Sequence, residues 1–360
     1  MTSQVYTCNN PNCNDLTHDH SHKIKNNHAG LLTVDMHCHI LNQDVEEIVS
    51  DFTEKKTEPA ILLESMGQPS VDHNVSMMAD LLPKLIDIDV RLNDMNNMGI
   101  DIQALSPSPT QYYYWADRDT SAHIVKLQNE NIAEICEQHP DRFVGLGNVS
   151  LQFPDLAAEQ MDYCVKKLGL RGVEISSLVN NKEVSDKEFA PFWKKAEELG
   201  IVVFLHPLGT TVGNRLNQHY LANIIGVPLE TTIALSHLIF SGVLDRHPNL
   251  KICAAHGGGF LGAYQGRSDH GWRVRPECQN IRKAPTDYLK QIFFDTIVHN
   301  PNQLQQLINQ VGASQVVLGT DYPFDMGDAN PLDLIASLKD LSHLEQAEII
   351  GLNAASLLNL

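Results

Sequence analysis

The sequence predicts an α/β fold, a (β/α)8 TIM barrel with an insertion after its first strand. Three observations predict it. Eight short apolar runs alternate with helical segments between residues 34 and 320. Four of those helices stop at a glycine directly before the next run, at Gly99, Gly169, Gly200 and Gly312. No G-x-G-x-x-G follows the first run, which disfavours the runner-up, a doubly wound open sheet. Runs that are apolar throughout are what a parallel sheet requires when helices cover both its faces.

The elements follow in order. Residues 1–30 form a polar extension carrying Cys8, Cys13, His18, His20, His22 and His28. These are metal-ligand types, but the cysteine spacing is wide and no second pair follows, so a plain extension is expected. Strand one is Val34-Asp35-Met36-His37-Cys38-His39-Ile40. Residues 41–85 are polar and irregular, too long for a plain loop, and are expected to cover the end of strand one. Residues 87–98 then read as a helix ending at Gly99, a left-handed cap. Strand two (100–105) is followed by a helix near 120–138, and strand three (143–149) by one opened by Pro154. That helix has apolar residues at Ala157, Met161, Cys164, Val165 and Leu168, a period near 3.6. Strand four (170–175), a helix (189–199), strand five (201–206), a helix (228–244) and strand six (251–256) follow. Strand seven (292–296), a helix opened by Pro301, strand eight (315–320) and two helical segments complete residues 31–360.

Composition narrows the function. A formal net charge of -18 over 360 residues argues against nucleic-acid binding, which needs a basic footprint. The seven cysteines are odd in number, and five lie in or beside apolar elements, so reduced thiols and a cytoplasmic setting are expected. The N-terminus lacks the apolar stretch of a signal peptide, and no membrane span is expected.

Chemistry in such a barrel sits at the C-terminal ends of the strands. Residues i and i+2 of a strand share a face, so His37 and His39 aim two imidazoles at one point, with Cys38 facing away. Strand five ends in His206-Pro207, strand six in His256 followed by three glycines, and strand eight in Thr320-Asp321-Tyr322-Pro323-Phe324. Three neutral nitrogens from His37, His39 and His206, with Asp321 as an oxygen ligand or a proton shuttle, make a catalytic divalent-metal site with a position left open. His256 is the candidate general base or acid, since an imidazole titrates near neutral pH. Gly257, Gly258 and Gly259 allow close backbone approach. The other histidines, His299 after strand seven among them, read as loop or helix residues. The row Tyr112-Tyr113-Tyr114-Trp115 either lines the pocket or packs the insertion.

These motifs together resemble the amidohydrolase superfamily. D-x-H-x-H at Asp35, H-P at His206, A-H-G-G-G at Ala255 and G-T-D-Y-P-F at Gly319 carry the likeness. Residues 143–147, 230–234, Gly266-Arg267, His270-Gly271 and 351–355 extend it. More narrowly, the chain is similar to the branch typified by 2-amino-3-carboxymuconate-6-semialdehyde decarboxylase. The resemblance implies a zinc-type or manganese-type metal, zinc first, a homodimer, and non-oxidative loss of CO2 from an aromatic or unsaturated ring-cleavage acid. It implies metal ligation by His37, His39, His206 and Asp321, water activation by His256, and carboxylate binding by Arg267, acting across the subunit interface. Ser106, Leu208 and Phe324 are the expected substrate contacts from the neighbouring strand ends. Two departures stand out. Residues 77–85 hold Lys84 but no arginine, and Leu208 replaces an aromatic residue after His-Pro. The alternative is a hydrolase of an amide, lactone or C–C bond using the same metal; a non-catalytic metal-binding or ligand-binding barrel is a third class.

Overall fold

The computed structural model describes residues 31–360, so the extension with Cys8 and Cys13 lies outside the described residues. Eight parallel strands pair in sequence order: β1 (Val34–Ile40), β2 (Ile102–Pro107), β3 (Phe143–Gly147), β4 (Gly172–Ile175), β5 (Val202–Leu205), β6 (Lys251–Ala254), β7 (Ile292–Asp295) and β8 (Val316–Val317). The sheet returns to β1 where Met36 N donates to Leu318 O at 2.9 Å and Cys38 bridges Tyr322. Sequential order and this return make a nearly closed barrel. Strand β8 is shorter than expected because Leu318–Thr320 continue as irregular backbone toward the site.

The strand interiors follow from the pleat. Val202 and Phe204 on β5, Ala104 on β2, Leu146 on β3 and Cys253 on β6 fill the barrel, with Ala354 and Leu357 of the C-terminal helix (Asn353–Leu358) in the same cluster. Continuing that period places Ser106 and His206 at the rim on the inner face. Strand β1 departs from simple alternation. Asp35 pairs with Gln103 but Cys38 with Leu105, one extra residue on β1. This bulge re-aims the side chains beyond it. Val34 and Met36 belong to the inner cluster, yet Cys38 joins the outer one, its thiol donating to Ala104 O at 3.3 Å. The shift delivers His37 and His39 to the inside.

Helices α1 (Gln43–Val49), α2 (Thr53–Met66), α3 (Gln68–Ile86) and α4 (Ile88–Met98) precede β2. The segment expected to be irregular is thus helical. Part of the reason it reads as irregular is physical: α3 has apolar residues at helical spacing, Val71, Val75, Met78, Leu81 and Leu85, of which only Leu85 is buried, whereas α2 buries no residue and carries no apolar stripe. Pro59 inside α2 further masks it. Around the remaining strands lie α5 (Arg118–Gln138), α6 (Pro154–Lys166), α7 (Ala190–Leu199), α8 (Val227–Phe240), α9 (Gln265–Val274) and α10 (Pro301–Val311). Asp87 caps α4 by accepting from the backbone N of Asp89 and Val90, and Gly99 ends it with φ 74°.

One stretch, Ala222–Phe240, is by length and composition alone apolar enough to cross a membrane. Here it packs on the barrel through Ala234, Leu235, Leu238 and Ile239. Cys38, Cys136, Cys164, Cys253 and Cys278 are free thiols.

Candidate active site

At the C-terminal rim, single ligand atoms from His37, His39, His206 and Asp321 lie within 4.8 Å of one another, and all four residues are buried. His37 Nε2 is 3.1 Å from His39 Nε2 and 3.2 Å from Asp321 Oδ1. His206 packs its ring against both, at 4.9 and 4.8 Å between centroids. Gly319 permits the approach of the Asp321 segment. A Cβ there would stand 3.0 Å from those of His37 and Asp295.

The surroundings set the protonation of each group. His37 Nδ1–H donates to Asp295 Oδ2 at 2.6 Å, which turns its Nε2 toward the cluster. Burial opposes charge on His37, but Asp321 and then Asp295 outweigh it and hold its pKa well above the ordinary imidazole range. Asp321 moves the opposite way. Burial would raise it, yet His37 and then His256 and His39 bring it well below the usual carboxylate range. Burial, then His39, His37 and His256, push His206 well down, so its imidazole is neutral. Neither ring nitrogen of His206 has a hydrogen-bond partner although both are buried. An orphaned neutral imidazole, two further imidazole nitrogens in near contact and an ionised carboxylate form a donor set that lacks only a cation. The residues therefore fit a divalent metal.

His256 stands beside this cluster, its Nε2 3.7 Å from Asp321 Oδ2 and its ring 5.0 Å from that of His206. Its backbone is left-handed, φ 56°, as is that of Asp321 at 54°. Asp295 holds the turn by accepting from the backbone N of His256 at 3.0 Å and of Gly257 at 2.8 Å. A cavity of about 420 Å³ opens from His256 and Asp321 past Phe260, Met326 and His299. His299, expected to be a plain loop residue, lines it. A larger cavity of about 520 Å³ lies beyond the Asp321 loop, lined by Lys84, Tyr322 and Phe324; neither cavity is lined by His37, His39 or His206.

The expected substrate contacts are dispersed. Ser106 is fully buried, donates to Cys38 O at 2.8 Å, and sits 3.4 Å from His39 Nδ1, behind the cluster. Phe324 flanks the His39 ring at 5.6 Å but opens to the larger cavity. Leu208 is half exposed and lines neither cavity. Arg267 is exposed on α9, also outside both. Tyr112 and Tyr114 are buried and stack at 5.4 Å, whereas Tyr113 donates to Glu46 on α1, so the aromatic row is packing rather than pocket.

Three polar residues were not singled out from the sequence, and a fourth, Asp35, appeared there only as part of the D-x-H-x-H motif. Asp295 ends β7 and was reachable by the same strand-end rule. Glu174, a charge inside an apolar β4 run, lies 3.6 Å from His39 Nδ1 and accepts from Tyr112 OH at 2.5 Å. Burial raises its pKa, with His39 opposing. Asp35 ties the strands together by accepting from Thr320 Oγ1 at 2.6 Å, Thr320 N at 3.0 Å and Gln103 Nε2 at 2.9 Å. Burial lifts it to about 6 despite these donors. Arg91 on α4 is fully buried, donates to His39 O and to Gln103 Oε1, and lies over the Tyr322 ring at 4.7 Å. It therefore holds together the two segments that carry His39 and Asp321.

Comparison with known proteins finds relatives along nearly the whole chain. The chain is 33% identical to 2-amino-3-carboxymuconate-6-semialdehyde decarboxylase of Dictyostelium discoideum, over 91% of this chain and 92% of that protein. It is 29% identical to gamma-resorcylate decarboxylase of Rhodococcus jostii (strain RHA1), over 78% of this chain and 90% of that protein. Among solved structures, 5-carboxyvanillate decarboxylase of Novosphingobium aromaticivorans, with bound manganese, shares the fold at a TM-score of 0.83 and 21% identity. That match covers 92% of this chain and 98% of the other. The family described as amidohydrolase matches residues 34–360. The barrel, its histidine and aspartate rim and this match place the chain in the amidohydrolase family.

Proposed function

We propose that this protein is a metal-dependent, non-oxidative decarboxylase, a carboxy-lyase, acting on an aromatic or unsaturated ring-cleavage acid. The observation that carries the proposal is the His37, His39, His206 and Asp321 cluster with His256 beside it, Asp321 and His256 lining one cavity, in a chain a third identical to a decarboxylase along nearly its whole length. His37, His39, His206 and Asp321 would hold one divalent metal; three imidazoles to one carboxylate favour zinc, and manganese is the alternative. When bound, that ion supplies positive charge that orients the acid and stabilises the charge developing as CO2 leaves.

The chain's own residues supply the rest. Loss of CO2 leaves an electron pair on carbon, and a proton must take the place of the carboxyl group there. His256 Nε2, beside the ionised Asp321, is positioned to move that proton. Asp295 fixes both the His37 tautomer and the His256 backbone, so one carboxylate aligns ligand and proton carrier. Phe260 and Ile297 on the cavity walls offer apolar surface to an unsaturated carbon skeleton. Arg267, exposed on α9, would bind the substrate carboxylate across the interface of a homodimer. A soluble, cytoplasmic setting accords with the free thiols among the described residues.

The test is CO2 release from a panel of hydroxylated benzoates and pyridine carboxylates, with zinc or manganese added to metal-stripped protein. Turnover confined to amides or lactones, with oxygen taken from labelled water, would make the protein a hydrolase instead.

A further inference from the structure

We infer that Glu174 on β4 is a positioning residue of the metal centre, a buried counter-charge that acts through His39 and, by way of Tyr112, on the backbone of His206. The inference rests on the metal site of the proposed function and gives a role to a carboxylate which that function leaves unused. Strand β4 supplies none of the four proposed ligands. Its inner face nevertheless carries an acid. Val173 and Ile175 pack in the outer cluster, so Glu174 points into the barrel, in register with Phe204, two residues before His206. Glu174 is fully buried. Its Oε1 accepts from Tyr112 OH at 2.5 Å, and the same hydroxyl lies 3.2 Å from the carbonyl oxygen of His206. Its Oε2 has no hydrogen-bond partner among the described residues. That oxygen faces His39 Nδ1 at 3.6 Å, the one ion-pair contact of Glu174 among the described residues. Ser106 Oγ stands nearby, but its proton goes to Cys38 O at 2.8 Å.

A charged oxygen taken out of water with neither a donor nor a cation opposes folding. A glutamine would fill the same space without that penalty. Its carbonyl oxygen would face His39 Nδ1, its NH2 would donate to the Tyr112 oxygen, and the Tyr112 hydroxyl would donate to His206 O. What the carboxylate adds over the amide is charge, and charge in this place favours a cation. The arrangement parallels that of His37. Each β1 histidine turns Nε2 toward the cluster and has a buried carboxylate behind Nδ1, Asp295 at 2.6 Å for His37 and Glu174 at 3.6 Å for His39. Outer carboxylates of this kind raise the basicity of a ligating imidazole. Asp295 makes a hydrogen bond, whereas the Glu174 contact is too long for one. The proton of His39 Nδ1 has Pro107 O at 3.3 Å as its acceptor, so Glu174 works on the ring through its charge.

The experiment compares the full-length protein with its Glu174→Gln variant. Two quantities are read: the chemical-denaturation midpoint of the metal-stripped proteins, and their affinities for zinc and for manganese by competition with a chelator. The midpoint of Glu174→Gln should equal or exceed that of wild type, because a buried charge goes and the hydrogen bonds stay. Its affinity for both metals should fall, by about tenfold. A merely structural residue would behave otherwise, since its loss weakens the metal-free fold. A variant that does not fold, a lowered metal-free midpoint, or an affinity for either metal within about threefold of wild type overturns the inference. Neither quantity depends on turnover, so the two levels separate. If wild type binds neither metal, the proposed metal site fails and the inference with it. If wild type binds metal and Glu174→Gln binds it equally well, the role of Glu174 alone fails. If affinity falls as expected while wild type releases no CO2 from any acid, the decarboxylase proposal fails and the role of Glu174 stands.

Discussion

Replacing Asp295 by asparagine tests the metal site without touching any proposed ligand. Asp295 Oδ2 accepts from His37 Nδ1 at 2.6 Å and from His256 N at 3.0 Å, and Oδ1 from Gly257 N at 2.8 Å and Ile297 N at 3.1 Å. An asparagine keeps one acceptor oxygen, which the two backbone donors on the Oδ1 side can retain. Its NH2 group then faces His256 N and His37 Nδ1, donor against donor at both, and at His37 the conflict is relieved only if the imidazole shifts its proton to Nε2. That shift takes away the lone pair aimed at the cluster. Loss of such an outer partner costs about 10- to 100-fold in metal affinity, and the tautomer conflict argues for the upper end, about 2.7 kcal/mol. The assay is competition between metal-stripped protein and a chelator of known affinity, with thermal unfolding to confirm that the variant is folded. A folded Asp295→Asn protein binding metal within about threefold of wild type would refute the argument that Asp295 sets the His37 tautomer.

Three further outcomes follow from particular contacts. His37 holds its proton at neutral pH in the metal-free chain because Asp321 and Asp295 overcome burial. A cation must displace that proton, so apparent affinity rises with pH through neutrality, by up to about tenfold per pH unit for one proton. Calorimetry in two buffers of different ionisation heat should count about one proton released at pH 7, and none released would mean that His37 is already neutral. Gly259→Ala should destabilise the fold, since φ is 65° and a Cβ would meet Pro228 O at 2.0 Å. The loss should exceed about 1 kcal/mol, and an unchanged denaturation midpoint would contradict the close approach. Arg91→Met should cost about 3 kcal/mol in chemical denaturation by stranding the carbonyl oxygen of His39 and the amide oxygen of Gln103. A neutral result would show that the Arg91 clamp is dispensable.

Much of the architecture was legible because barrel strands and their covering helices leave local marks. Apolar runs, glycine stops and strand-end histidines each report a constraint acting within a few residues. The D-x-H-x-H and G-T-D-Y-P-F segments belong to that class. The helix of residues 53–66 was hidden because a helix lying on the surface needs no apolar stripe. Leu208 and Arg267 were nominated by position in a motif, yet which side chains share a cavity depends on how distant loops fold over one rim.

The sequence by itself determined the order of strands and helices and the residue types available at each strand end, since both follow from short-range pattern. Only the tertiary structure decided how those ends meet. The extra residue in β1 turns His37 and His39 inward. Asp295, some 250 positions away in the chain, comes within 2.6 Å of His37 and sets its tautomer. His299 reaches the cavity that holds His256 because β6 and β7 are neighbours in the sheet. Contacts of that kind are fixed by closure of the barrel, and no local stretch of residues encodes them.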